Sequence, residues 1–145
     1  MFCPQVDIQC FAGRQLEGFI DVAHFAWVHT ETFGGPDDVE VPDYTTTETD
    51  YGFSADYISG VGRYPIGSDQ RGQEDFKWLR HFEISLPFTA TLTIHFPNDA
   101  RQVIMNAASP MTARSTRLFA PICRNYDKDL PVEDAYEFNL KIFEE

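Results

Sequence analysis

Two histidines, His24 and His29, follow two acids, Glu17 and Asp21, in the stretch Glu17-Gly18-Phe19-Ile20-Asp21-Val22-Ala23-His24-Phe25-Ala26-Trp27-Val28-His29. Neutral imidazole is the commonest protein metal ligand, and its second ring nitrogen needs an acceptor to fix the ring. The spacing E-x-x-x-D-x-x-H-x-x-x-x-H therefore supplies half of a mononuclear metal site, with Asp21 placed to orient His24. Residues three apart share a helix face, so Asp21 and His24 can meet. His24 and His29 cannot, because five residues at roughly 100° each leave them about 140° apart. Both bind one metal only if the helix ends or loosens between them. Val28 is β-branched, Thr30 and Thr32 are weak helix formers, and Gly34-Gly35-Pro36 closes the segment, which favours such a break. The competing reading makes Phe19, Ile20, Ala23 and Trp27 a buried stripe and the histidines ordinary polar neighbours.

The elements that must position these residues follow from periodicity. The alternation in Val6–Phe11 predicts a short first strand, and the motif itself predicts a helix from about Arg14 to Val28. Gly34 to Pro42 is an acidic loop. Tyr44–Thr49 and Tyr51–Ile58, rich in Thr, Tyr and Phe, predict two strands. Gly60 to Asp75 is a long Gly-rich loop. Trp78–Leu86 and Phe88–Phe96 predict strands, Pro97-Asn98-Asp99 a hairpin turn, and Gln102–Ala108 and Met111–Cys123 the last strands. Asp129-Leu130-Pro131 opens a closing helix with a stripe of Val132, Ala135, Tyr136, Leu140 and Phe143, with Phe138 and Ile142 beside it. A helix, an antiparallel sheet of five to seven strands and a closing helix make an α+β domain. The simplest packing lays both helices on one face of a curved sheet, over an apolar cavity. Phe25, Ala26, Trp27, Phe82, Ile94, Phe96, Ile104 and Met105 are the expected core.

Bulk properties narrow the partners. At 145 residues the chain is one domain, and 43% hydrophobic content with thirteen Phe supports a packed core. A formal charge of −12 disfavours nucleic acid, which needs clustered Lys and Arg, and disfavours an anionic membrane surface. With no apolar run of about eighteen residues and no leader pattern, the expectation is a cytoplasmic protein. Cys3, Cys10 and Cys123 have no C-x-x-C or C-x-H spacing and are expected to be reduced thiols.

Two His and one carboxylate on one face of a metal, with open positions opposite, is the arrangement of non-haem Fe(II) oxygenases. The D-x-x-H-x-x-x-x-H string, continued by Thr30-Glu31-Thr32-Phe33-Gly34, resembles the catalytic domain of Rieske non-haem iron oxygenases. Within them it looks closest to the branch of vanillate O-demethylase and phenoxybenzoate or phthalate-type dioxygenases, and the likeness covers nearly the whole chain. The resemblance implies a helix-grip α+β fold and an enzyme that uses O2 on an aromatic compound, as a mono- or dioxygenase. It implies Fe(II) on His24 and His29. It gives Asp21 a catalytic role beside His24, carrying electrons between protomers. It also implies a homotrimer in the intact enzyme and electrons from NAD(P)H through a reductase or ferredoxin.

A Rieske [2Fe–2S] cluster needs two Cys and two His, which the family supplies as C-x-H and C-x-x-H pairs absent here. Residues 1–145 are therefore expected to be a single catalytic-type domain of a longer oxygenase, with the cluster elsewhere and the piece alone inactive. The third ligand, usually an Asp of the final helix, is expected just beyond Glu145, with Glu144 and Glu145 solvated at a frayed end. Glu17-Gly18 departs from relatives, which often carry an Asn there.

Weaker candidates remain. His81 and His95 lie in strands, where surface positions are the default. Arg63, Arg71, Arg80 and Arg101 could pair with a substrate carboxylate, or with the chain's own 23 acids. One rival function is a non-catalytic helix-grip domain that binds a hydrophobic small molecule. The other is a zinc hydrolase, which usually sets a general-base Glu between histidines four apart, a pattern this chain lacks.

Overall fold

The computed structural model describes residues 1–35, 39–60 and 76–145. The chain runs β1 (Val6–Ile8), α1 (Ala12–Ile20), α2 (Phe25–Val28), β2 (Thr46–Thr49), β3 (Gly52–Ser59), β4 (Trp78–Ser85), β5 (Thr89–His95), β6 (Arg101–Thr112), β7 (Ser115–Phe119), β8 (Ile122–Arg124) and α3 (Val132–Glu144). The strands form one antiparallel sheet in the order β1-β7-β6-β5-β4-β3-β2, with β8 paired to β6 beyond the end of β7. The α+β reading holds, with eight strands where five to seven were expected. The Gly-rich loop, with Arg63 and Arg71, lies outside the described residues apart from Gly60.

Alternation along the central strands builds the inner face. Trp78, Arg80, Phe82 and Ile84 of β4, Ala90, Leu92 and Ile94 of β5, and Gln102, Ile104 and Asn106 of β6 are all buried. Pairing sets these in transverse rows: Arg80–Ile94–Gln102, then Phe82–Leu92–Ile104, then Ile84–Ala90–Asn106. Apolar side chains of α1 and α3, including Leu16, Phe19, Phe138, Ile142 and Phe143, pack against this core. The turn between β5 and β6 places Asn98 and Asp99 at φ 59° and 60°, the left-handed pair that joins strands compactly.

Several expectations need correction. The single helix from Arg14 to Val28 is two: α1 starts earlier, at Ala12, and stops at Ile20, and α2 is one turn. The final helix begins at Val132, not Asp129, and its buried residues are Ala135 and Asn139, whereas Val132 is exposed. The last strands break elsewhere too, with β6 running on to Thr112 and a turn before β7. Trp27 and Met105, expected in the core, are 66% and 38% exposed. Met105 alternates with the inward Ile104 and Asn106, so it points outward. Trp27 lies on the open side of α2.

Candidate metal centre and cavity

The chain leaves the helix twice: once before His24, where α1 stops at Ile20, and again between the histidines as expected, where α2 stops at Val28 and His29 departs from helical geometry. α1 ends where the Asp21 amide donates to the Glu17 carbonyl (3.1 Å). The Asp21 Oδ1 then accepts the Ala23 amide (2.9 Å), a side-chain turn that competes with continued helix. The chain re-enters a single helical turn in which the Trp27 and Val28 amides both donate to the His24 carbonyl. His29 sits at its end and turns the chain again, its carbonyl accepting from the Gly34 amide at 2.7 Å. That turn needs glycine: a Cβ on Gly34 would lie 2.2 Å from the Phe25 carbonyl oxygen and 2.7 Å from that of His29.

His24 Nε2 and His29 Nε2 lie 3.1 Å apart, and each ring has a carboxylate at its Nδ1. His29 Nδ1 donates to Glu145 Oε2 at 3.2 Å. The same oxygen accepts the Thr32 hydroxyl, and Glu145 Oε1 accepts the Glu31 amide at 2.8 Å. Glu145 was expected to be a solvated helix end. Its side chain is instead only 10% exposed, tied into the turn after His29, and Lys141 reaches Glu31 at 3.0 Å to anchor the same helix end. On the other side Asp21 Oδ2 stands 3.7 Å from His24 Nδ1, too long for a hydrogen bond but close enough to attract the N–H end of the ring. His29 stacks on Phe33 (ring centroids 4.7 Å apart), and His24 meets Phe25 edge to face.

These contacts define the protonation pattern. A carboxylate only accepts, so the proton of His29 lies on Nδ1, and Asp21 favours the same tautomer in His24. Burial pushes both imidazoles below their usual pKa. Asp21 opposes this in His24, and the Glu145 hydrogen bond opposes it in His29. Burial pushes the Glu145 carboxyl up, but the bonds from Thr32, the Glu31 amide and His29 outweigh it and hold it below the usual range. With both Nδ1 atoms protonated the two Nε2 lone pairs turn towards one point, an arrangement that a cation relieves. The other His24 tautomer relieves it by donating from Nε2 to His29 Nε2 at 3.1 Å. Two nitrogens each about 2.1 Å from one metal, at an angle near 95°, would be separated by about this distance. Asp21 and Glu145 stand behind the rings, so no group of three or more His, Cys, Asp or Glu converges among the described residues.

The histidines open onto a cavity of about 280 Å³ between the helices and the inner face of the sheet. That is near the lower end for small-molecule sites, roughly 300 Å³. Phe19, Phe25, Leu92, Ile94, Ile104 and Phe143 make it mostly apolar, and Arg80, Gln102 and Asn106 add polar groups. Arg80 is buried, bonds Ser59 Oγ at 3.1 Å and lies over the Phe25 and Phe33 rings. Arg101 is at the surface, 3.9 Å from Asp99. His81 pairs with Asp56 at 2.7 Å, and His95 shares its outward strand face, so neither lines the cavity. Thr32, Phe33, Gln102, Asn106 and Asn139 also stand at or beside the site and were not among the expected site residues. Strand β6 carried a signal: Gln102 and Asn106 alternate with Ile104 and Ala108 on one face, which is where a buried polar group shows.

A family model for the vanillate O-demethylase oxygenase C-terminal domain matches residues 8–145. Among solved structures, NdmB of Pseudomonas putida CBB5 is similar with a TM-score of 0.77 and 20% identity, over 99% of this chain and 38% of that one. NdmA of the same organism, in a structure with caffeine, gives a TM-score of 0.73 at 22% identity, over 96% of this chain and 39% of that one. At these identities the likeness shows the fold, and this chain spans under two fifths of either relative. No curated protein sequence matches it.

Proposed function

This chain belongs to the vanillate O-demethylase oxygenase C-terminal domain family, and on that premise we propose that it is the catalytic domain of a Rieske-type oxygenase, with Fe(II) held by His24 and His29. One observation carries the reading: two Nε2 atoms 3.1 Å apart, each ring backed by a carboxylate, at the edge of an apolar cavity. Iron bound there would activate O2 for transfer to an aromatic substrate, with electrons delivered from a [2Fe–2S] cluster outside this chain and a reductase. The chain's own residues orient and enclose. Glu145 and Thr32 fix the His29 ring from behind, and Asp21 does so more loosely for His24. Phe25 and Phe33 wall the pair from water, and the cavity holds the ring of the substrate. Asp21, 49% exposed, is the group that would face a neighbouring subunit in a homotrimer. Glu145, with both oxygens engaged by the turn, serves His29 as an acceptor rather than as a third ligand.

The test is an anaerobic titration of the metal-free chain with Fe(II), followed by calorimetry. One ion should bind per chain, weakly while His24 and His29 alone hold it and the third ligand expected beyond Glu145 is missing. His24→Ala or His29→Ala should weaken binding about a further hundredfold or more, beyond the roughly 10–100-fold typical of losing an outer partner. A chain that ignores Fe(II), or two variants that bind it as well as the parent, would overturn the proposal. The lack of a three-ligand cluster among the described residues favours a second reading, a metal-free domain that takes up a hydrophobic small molecule. Failure to bind Fe(II) with retained uptake of apolar ligands would select it.

A further inference from the structure

Polar side chains on the inner face of the sheet are mostly satisfied by one another. Gln102 Nε2 donates to Asn139 Oδ1 (2.8 Å), Tyr126 donates to Gln102 Oε1 (2.9 Å), and Asn139 Nδ2 donates to the Ala135 carbonyl (2.7 Å). Asn106 stands apart. It is 0% exposed and borders the cavity, yet among the described residues neither its Oδ1 nor its Nδ2 has a hydrogen-bond partner. A flip of the amide changes nothing, since both ends are unpartnered. Its cross-strand neighbour Ala90 has no polar side chain to offer. An orphaned donor and acceptor at one buried position are each costly, and an apolar side chain of similar shape would remove that cost.

We propose that Asn106 selects the substrate of this cavity, binding a planar ring that carries a hydrogen-bond donor and acceptor on adjacent atoms, as a lactam does. A carboxamide presents its own acceptor and donor side by side, so the two edges close a pair of hydrogen bonds. The surrounding Phe19, Leu92 and Ile104 take the faces of the ring. That such a ring is a substrate, and not merely a ligand, rests on the oxygenase reading above. The recognition itself does not.

The experiment uses the metal-free chain and three probes of nearly one shape: the bicyclic lactam carbostyril, its N-methyl derivative and naphthalene. Carbostyril has both groups, the N-methyl compound only the acceptor, and naphthalene neither. Calorimetry should give the tightest binding for carbostyril, with about a tenfold or greater loss for the N-methyl compound, because a buried donor or acceptor is then left unpaired. Asn106→Leu should bring the two within about twofold and leave naphthalene binding equal or stronger. Its melting temperature should be unchanged or higher, since it deletes two orphaned groups. Equal affinity for all three probes in the parent chain, or a lactam preference that survives Asn106→Leu, would overturn the proposal. So would failure of both Asn106→Leu and Asn106→Ala to fold, which would make the residue structural. Lactam selectivity without Fe(II) binding would sink the oxygenase reading and leave this one standing. Fe(II) binding without selectivity would do the reverse.

Discussion

At the scale of residues, the two histidines are held with unequal grip, and the difference can be measured. His29 donates to a nearly buried carboxylate at 3.2 Å that is itself fixed by Thr32 and the Glu31 amide. His24 faces Asp21 at 3.7 Å, half exposed and already engaged with the Ala23 amide. An acceptor fixes a ring in proportion to how rigidly it is fixed itself, and losing one costs roughly 10–100-fold in metal affinity. Glu145→Ala should therefore fall near the top of that range in a Co(II) titration, and Asp21→Ala near the bottom. Glu145→Gln, which keeps an acceptor oxygen, should lie between the parent and Glu145→Ala. Equal losses from Glu145→Ala and Asp21→Ala would mean that distance and burial do not set the grip, contrary to the geometry.

At the scale of elements, the site depends on two short turns that a helix would erase. Gly34 closes the second. Its position lets the Phe25 and His29 carbonyls approach where a Cβ would stand at 2.2 and 2.7 Å. Both contacts are with backbone, which cannot swing aside, so Gly34→Ala should cost about 1–3 kcal/mol of stability by overpacking. It should also lower metal affinity, because His29 moves with its carbonyl. Thermal melts and Fe(II) titration read the two effects, and an unchanged pair would show that the turn yields freely. These turns also mark how far the sequence could be read. Alternation located the central strands, because each buries one face, and the His spacing demanded a helix break. It placed that break between the histidines and gave no sign of the earlier one, before His24. Asp21 can sit in a helix or start a side-chain turn, and only the contact with the Ala23 amide decides. Glu145 was misjudged for a related reason: a chain-terminal acid looks solvated until the turn at His29 to Thr32 is known to receive it. The burial of Asn139 and the exposure of Trp27 depend on which face meets the sheet, a tertiary choice that apolar character alone did not indicate.

At the scale of the whole molecule, 23 acids against 11 bases leave a formal charge of −12 on 145 residues. Such a field attracts a divalent cation and repels an anionic substrate, so it would favour the neutral ring proposed for the cavity. It also strains the folded state. Like charges repel over a Debye length that falls from about 30 Å at 0.01 M salt to about 10 Å at 0.1 M. The ion pairs that oppose this are mostly exposed: Arg14 with Glu17, Arg117 with Asp7, and Lys141 with Glu31. Exposed pairs contribute little and are themselves screened. Diffuse repulsion should therefore win, and the melting temperature should rise by several degrees between about 0.01 and 0.2 M NaCl. Most of the rise should come below about 0.1 M, where the screening length shrinks fastest. A steady rise continuing into molar salt would instead report stronger burial of apolar surface. A fall would mean that the specific pairs outweigh the net charge, with Lys141–Glu31 the first to examine, since it anchors the helix that carries Glu145 to His29.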